Sequence, residues 1–397
     1  MSNAAKIAGI QALILSGGGA QAAYEVGVME ALLTGQSPAT DYEVLPPGIL
    51  VGTSAGSINA GLFLTAANQG PAIATKYMED VWVQDLADFP GKCGGSVYRL
   101  RANPLALFNA ACSISHPVEF LANAATDFTV FARSAMARGI HFAMSGGALE
   151  QRALELVDLS ALVSTEAFAE LIRKRVNLEE VRKSVWKLKI AATNWRTGRG
   201  KVFDGEEMTD DVGHKILLAS SALPGIVAPI EIDGEPYVDG GTVMNTPLKP
   251  AIDSGAETLH VIHMDPDISH IPLAHVPSTM AVLSRSIEIR FRTAILQDIQ
   301  TARQVNHALA VLSGKLPRPD GSEMNTRHLV REAEKRVMDP GNGTDRRELT
   351  MHLYYPSGSL NVGWLSFERD NIERLIHRGF EDAIHHDCDA NHCVFPA

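Results

Sequence analysis

Ile49-Leu50-Val51-Gly52-Thr53-Ser54-Ala55-Gly56-Ser57-Ile58-Asn59-Ala60 is the stretch on which the reading of this chain turns. Three apolar residues suit a buried strand and run straight into Gly-x-Ser-x-Gly. The small and apolar residues beyond suit a helix. This is the setting of a nucleophile elbow, where a serine sits on a strained strand-to-helix turn and flanking glycines avoid backbone clashes. Such a turn lifts the Ser54 hydroxyl out of the sheet, and the helix N-terminus behind it favours developing negative charge. In a chain with 33 glycines the bare pentapeptide says little. The strand before it and the helix after it favour an elbow over a plain turn.

Upstream, Ala12-Leu13-Ile14-Leu15 reads as a short buried strand, followed at once by Ser16-Gly17-Gly18-Gly19. Ala20 to Leu33 is apolar on two sides, so a helix buried against a sheet is expected. With Pro46-Pro47-Gly48 marking the connection, strand, loop, helix and elbow strand form a βαβ unit with a parallel pair. Consecutive glycines between a strand and a helix can aim several N–H groups at one anionic point. In acyl transfer that point is the tetrahedral oxyanion, and each donor is worth about 10²–10³ in rate. The rival is a dinucleotide site, since Gly17 to Ala22 fits a relaxed G-x-G-x-x-A. It would need an acidic residue at the end of the next strand, where Gly52-Thr53-Ser54 stands instead.

A serine hydroxyl needs a base within reach. The chain has 14 histidines, none in a context like a triad loop. His260 and His263 fall in or beside a predicted strand, where packing is their expected role. Asp239 stands out: it follows Val238 at a strand end and precedes Gly240 and Gly241, a turn that can hold a carboxylate rigid and partly desolvated. Desolvation raises a carboxyl pKa and makes the carboxylate a stronger base.

Taken in order, these motifs resemble the patatin-like phospholipases. The resemblance rests on Gly17-Gly18-Gly19 with Gly27, Gly52-Thr53-Ser54-Ala55-Gly56, Ser220-Ser221-Ala222-Leu223-Pro224-Gly225, and Asp239-Gly240-Gly241 with Asn245 and Pro247. It spans about Ala12 to Asp265 and extends faintly to Trp364-Leu365-Ser366-Phe367 and Gly379 to Ala383, which look like a closing strand and helix. It implies an α/β protein, a three-layer α/β/α fold with a mostly parallel central sheet. It further implies a Ser54–Asp239 dyad, backbone N–H groups of Gly17, Gly18 and Gly19 as oxyanion hole, and no cofactor, histidine or metal in the chemistry. Gly52, Gly56, Gly240 and Gly241 support the two turns. The family usually places Arg or Lys and then Gly after the triplet, where this chain has Gln21 and Ala22. Glutamine offers only neutral donors, which points to neutral or short-chain esters rather than anionic phospholipids.

The rest of the chain fits one acyl hydrolase domain over residues 8–265 and a helix-rich extension over 266–397 packing on it. A helical pattern through Tyr77, Val81 and Trp82 ends near Phe89-Pro90-Gly91. A helical insertion of about 90–150 follows, with Phe108, Phe120, Phe128, Phe131 and Phe142, read either as extra core or as a lid or wall of an apolar pocket. Strands are expected at Val185 to Thr193, Tyr237-Val238, Leu259 to His263 and Met351 to Tyr355. Helices are expected at Ile216 to Ser221, from Leu248, at Met280 to Leu312, around Arg331 to Arg336 and at Asn371 to Ile384.

Hydrophobic residues make up 45% of the 397 and charged residues 20%, enough apolar material for a sizeable core. The net charge of −11 argues against a nucleic-acid partner. An acyl lipid or ester substrate is expected instead, with possible peripheral contact at a membrane surface. No run approaches the roughly 18 apolar residues of a membrane span, and Met1 to Lys6 does not resemble an export signal. Four cysteines are too few for a disulfide framework, so a cytoplasmic protein is expected. The tail His385-His386-Asp387-Cys388-Asp389-Ala390-Asn391-His392-Cys393 looks like a metal-binding cluster. With no second ligand group evident elsewhere, a solvated, poorly ordered terminus is the expectation. Beside the hydrolase, two readings stand on the same fold: a catalytically silent acyl-lipid-binding protein, suggested by Gln21, and an acyltransferase sharing the acyl-Ser54 intermediate.

Overall fold

The computed structural model describes residues 9–88, 97, 99–100, 117–144, 163–264, 279–313, 315–316, 348–356, 358, 360 and 362–396. Strand β1 (Ile10–Leu15) leads through a 3₁₀ turn at Gly19–Ala22 into α1 (Ala23–Leu33), and β2 (Ile49–Thr53) leads into α2 (Ala55–Ala66). Helix α3 (Pro71–Asp80) continues into a π-helical turn at Val81–Leu86. In the insertion, β3 (Arg99–Leu100) pairs with β4 (Val163–Ser164), a two-residue ribbon too short to read from sequence, and α4 spans Pro117–Met144. Helices α5 (Glu166–Arg175) and α6 (Leu178–Lys183) precede the hairpin of β5 (Lys187–Asn194) and β6 (Gly200–Asp204). Then come α7 (Gly213–Ser220), β7 (Ile230–Ile232), β8 (Glu235–Asp239), α8 (Leu248–Asp253) and β9 (Ala256–Ile262). The chain closes with α9 (Thr279–Leu312), β10 (Thr350–Tyr354) and α10 (Arg369–Ile384).

The main sheet runs β10-β9-β1-β2-β5-β8-β7, with β6 on β5. Its five strands from β10 to β5 are parallel, and β6, β7 and β8 are antiparallel additions. Side chains alternate across a strand, so each central strand feeds two cores. Leu13, Leu15 and Leu50 face a core shared with α1, α2 and α10, whereas Ala12, Ile14, Ile49 and Val51 face one shared with α8 and α9. The result is a three-layer α/β/α molecule. Helix α1 is covered on both sides, by the sheet and by α10, so ten of its eleven residues are buried, as its lack of a polar face requires.

Two expectations change, and two fall on residues that are not described. Trp364 to Phe367, read as a closing strand, forms a turn and loop before α10. Phe108 and the expected helix at Arg331 to Arg336 lie outside the described residues. The tail is not a solvated end: Val394 exchanges two backbone hydrogen bonds with Met351 of β10 (2.8 and 2.9 Å), and both are buried. It thereby covers the strand that would otherwise be the free edge of the sheet.

Candidate active site

Sheet register brings the site together. Strand β2 pairs with β5 as far as Thr53↔Ala191; the next position of β5, Ala192, pairs with Asp239 at the end of β8. Ser54 and Asp239 therefore lie side by side where their two strands leave the sheet. On the other side of β2, β1 runs in step to Leu15↔Gly52, so its continuation carries Gly17 alongside Ser54. Residues far apart in the chain therefore share one end of the parallel strands, the place where open α/β sheets hold ligands.

Ser54 adopts φ 53°, ψ −127°, a conformation that a serine keeps only under external constraint. Its N–H donates to Ser220 Oγ (2.9 Å), whose own hydroxyl donates to Ala191 O (2.7 Å). Its carbonyl accepts from Ser57 Oγ (2.6 Å). A side chain at Gly52 would meet Gly56 O at 2.6 Å, and one at Gly56 would meet Leu15 O at 2.5 Å. Glycine at both positions lets the turn fold tightly over the strand ends.

Ser54 Oγ donates to Asp239 Oδ2 at 2.6 Å, while Asp239 Oδ1 accepts from the Gly241 N–H at 2.7 Å. The Asp239 backbone is pinned too: its N–H donates to Ala222 O (2.9 Å) and its carbonyl accepts from Thr193 Oγ1 (3.0 Å). Burial pushes the carboxyl up from 3.8 to about 6, with the bonds from Ser54 and Gly241 pulling the other way. Gly240 opens the short 3₁₀ turn that carries the Gly241 amide.

The glycine triplet does not act as three equal donors. The Gly17 N–H donates to Asn245 O (3.2 Å), and Gly17 O accepts from Asn245 Nδ2 (3.3 Å). Gly17 is thus a spacer: a side chain there would meet Ser54 Cβ at 3.0 Å. Gly18 and Gly19, at the head of the 3₁₀ turn, have N–H groups with no acceptor among the described residues, as expected for a helical first turn. Of the three amides expected to serve an oxyanion, that of Gly17 is already engaged by Asn245 O and those of Gly18 and Gly19 have no acceptor among the described residues.

These residues form the floor of a pocket of about 960 Å³, counting its open mouth. Its walls are apolar. Two stacked aromatic pairs, Trp82–Phe367 (6.2 Å between centroids) and Phe291–Trp364 (5.9 Å), stand with Phe168, Leu223, Ile226 and Val227. Asp239 is the one charged lining residue among those described. Of the phenylalanines named in the insertion, Phe128 and Phe142 are not among the described lining residues, to which that segment contributes Val97. Trp364 and Phe367 belong to the stretch read as a closing strand, and the structure places them instead in the loop before α10, where they line the site. Gln21 Nε2 donates to Val362 O at 2.7 Å, so it braces this aromatic loop and is not among the lining residues.

A family model, Patatin-like phospholipase, matches residues 13–252, well over half of the chain. The chain belongs to the patatin-like phospholipase family. Comparison with curated proteins returns no match. Among solved structures, the crystal structure of VipD from Legionella pneumophila is similar at 15% identity, covering 96% of this chain and 67% of that one with a TM-score of 0.36. At that score the likeness adds nothing to the architecture described above. Patatin-like proteins are lipid acyl hydrolases, and the matched span contains the elbow, the glycine triplet and Asp239.

Proposed function

We propose that this patatin-like protein hydrolyses carboxylic ester bonds of acyl lipids through an acyl-Ser54 intermediate. The observation that carries the reading is the 2.6 Å hydrogen bond from Ser54 Oγ to Asp239 on the floor of an apolar pocket. Ser54 Oγ attacks the ester carbonyl as Asp239 takes its proton, and the new C–O bond leaves a tetrahedral oxyanion. The Gly18 and Gly19 amides and the N-terminus of α2 stabilise that charge. Asp239 returns the proton to the leaving alcohol as the ester bond breaks. It then accepts a proton from the water that attacks the acyl carbon, and passes it to Ser54 Oγ as the acyl C–O bond breaks and the fatty acid leaves.

The paired aromatic walls suit a hydrocarbon chain, and the lack of any cation among the described lining residues favours an uncharged ester environment at the reacting centre. The reading extends to contact with a lipid surface. Phe128, Met136, Ile140 and Met144 are all exposed along α4, a face suited to dipping into an interface.

The test is turnover on esters of graded chain length and varied head group. Ser54→Ala and Asp239→Asn are each expected to cut hydrolysis by at least about 10³, as for residues working as one unit. Near-full turnover by folded Asp239→Asn would sink the dyad.

A further inference from the structure

Far from the pocket, at the covered edge of the sheet, four metal-ligating side chains converge. His352 comes from β10, His386 follows the end of α10, and Cys388 and Cys393 flank the turn after it. Their ligand atoms all lie within 4.8 Å of one another. Cys388 Sγ is 3.4 Å from His352 Nδ1 and 3.4 Å from His386 Nε2, and Cys393 Sγ is 3.4 Å from that same Nε2. A tetrahedral zinc ion with bonds of about 2.0 Å to nitrogen and 2.3 Å to sulfur requires N···S edges of roughly 3.5 Å. Three of the four N···S edges of the cluster already have that length.

We propose that His352, His386, Cys388 and Cys393 form a structural Cys2His2 site for zinc, which clamps the C-terminal tail to the edge strand of the sheet. Two thiolates and two imidazoles are the donor set of closed zinc sites, and Cys388-x4-Cys393 falls within their usual spacing. Binding displaces one proton from each thiol, so the two thiolates neutralise the dication. The frame is prebuilt. Cys393 N–H donates to Cys388 O (2.9 Å), closing the turn, and Cys393 Sγ accepts from the Leu353 N–H (3.4 Å). The His352 ring stacks on buried His260 at 5.0 Å and meets Phe395 edge-on at 5.8 Å, which fixes its orientation.

One partner has to rearrange. Asn391 Nδ2 donates to Leu353 O (3.1 Å) and lies 2.9 Å from His386 Nδ1, an arrangement that leaves the ring proton on Nε2, facing the sulfurs. Ligation through Nε2 moves that proton to Nδ1. Asn391 must then turn its oxygen towards the ring and give up Leu353 O. Asn391 is therefore a positioning residue, and its loss is expected to weaken metal binding about 10–100-fold.

The experiment is elemental analysis of the full chain, purified under reducing conditions and dialysed against a weak chelator. About one zinc per chain is expected, falling below about a tenth in Cys388→Ser and in His352→Ala, since a ligand deleted from a closed site opens it. Variants that misfold do not end the test. In the wild-type chain, cobalt(II) should give thiolate-to-cobalt charge transfer and tetrahedral ligand-field bands, and zinc should protect Cys388 and Cys393 from alkylation until a strong chelator is added. The proposal is overturned if the reduced chain binds zinc no tighter than about micromolar. It is equally overturned if metal content is unchanged in the variants, or if the cysteines form a disulfide whose reduction yields no zinc uptake. None of these readouts depends on ester hydrolysis.

Discussion

Buried and offered hydrogen bonds by Ser54 and Gly241, the Asp239 carboxyl is caught between opposing effects, and burial prevails, lifting it from 3.8 to about 6. A base must be unprotonated, so kcat/KM for a neutral ester is expected to rise with pH through about 6 and level off above it. Stability moves in the other direction. Between about 4 and 6 the folded chain holds a proton that the unfolded chain has released, so stability falls as pH climbs through this window. Ionised Asp239 costs on the order of 3 kcal/mol at neutral pH. Asp239→Asn should therefore melt higher than wild type at pH 7, with the gain gone below about pH 4, in calorimetry across that range. A flat difference with pH would mean that the carboxyl titrates normally.

At the scale of elements, the elbow is held from outside by α7. Ser220 links the Ser54 N–H to Ala191 O, and removing its hydroxyl leaves both groups without that partner in a dry site. Ser220→Ala is expected to cost about 1–3 kcal/mol in denaturant unfolding. It should also lower kcat more than it raises KM, because the elbow conformation suffers and the apolar pocket does not. Ser220 was visible in the sequence only as part of a motif without a role. A hydroxyl that supports another residue's backbone leaves no periodic signal. Strands β1 and β2 were readable because each is a short, largely apolar run with glycine at its border. The Gly17 amide misled for a related reason: strand-glycine-helix order predicts free donors, but only register reveals that Asn245 O reaches the first of them.

For the molecule as a whole, the sequence displayed the floor of the site and hid its walls. Ser54, Asp239 and the glycines sit in local patterns that chemistry imposes. The aromatic walls instead come from the π-helical turn after α3, from α5, α9 and the loop before α10, brought together by packing between distant segments. The same distance concealed the tail's partner, since His352 lies on a strand whose own pattern gives no sign of ligation. The insertion was read from its phenylalanines either as extra core or as a lid or wall of the pocket; among its described side chains Phe128, Met136, Ile140 and Met144 are exposed. If that face meets lipid, replacing Phe128, Met136, Ile140 and Met144 together by Ser should reduce sedimentation with phosphatidylcholine vesicles at least about fivefold. Turnover on a soluble short-chain ester should stay unchanged, since exposed apolar side chains contribute to interfacial binding rather than chemistry. Equal sedimentation would exclude α4 as the docking face.

The most direct measurement is to treat the intact chain with a fluorophosphonate and locate the adduct by peptide mass spectrometry. The Ser54–Asp239 account predicts one modified residue, Ser54, no labelling of Ser54→Ala, and labelling of Asp239→Asn slowed in step with its loss of turnover. An unlabelled wild-type chain, or a label on any other side chain, would contradict it.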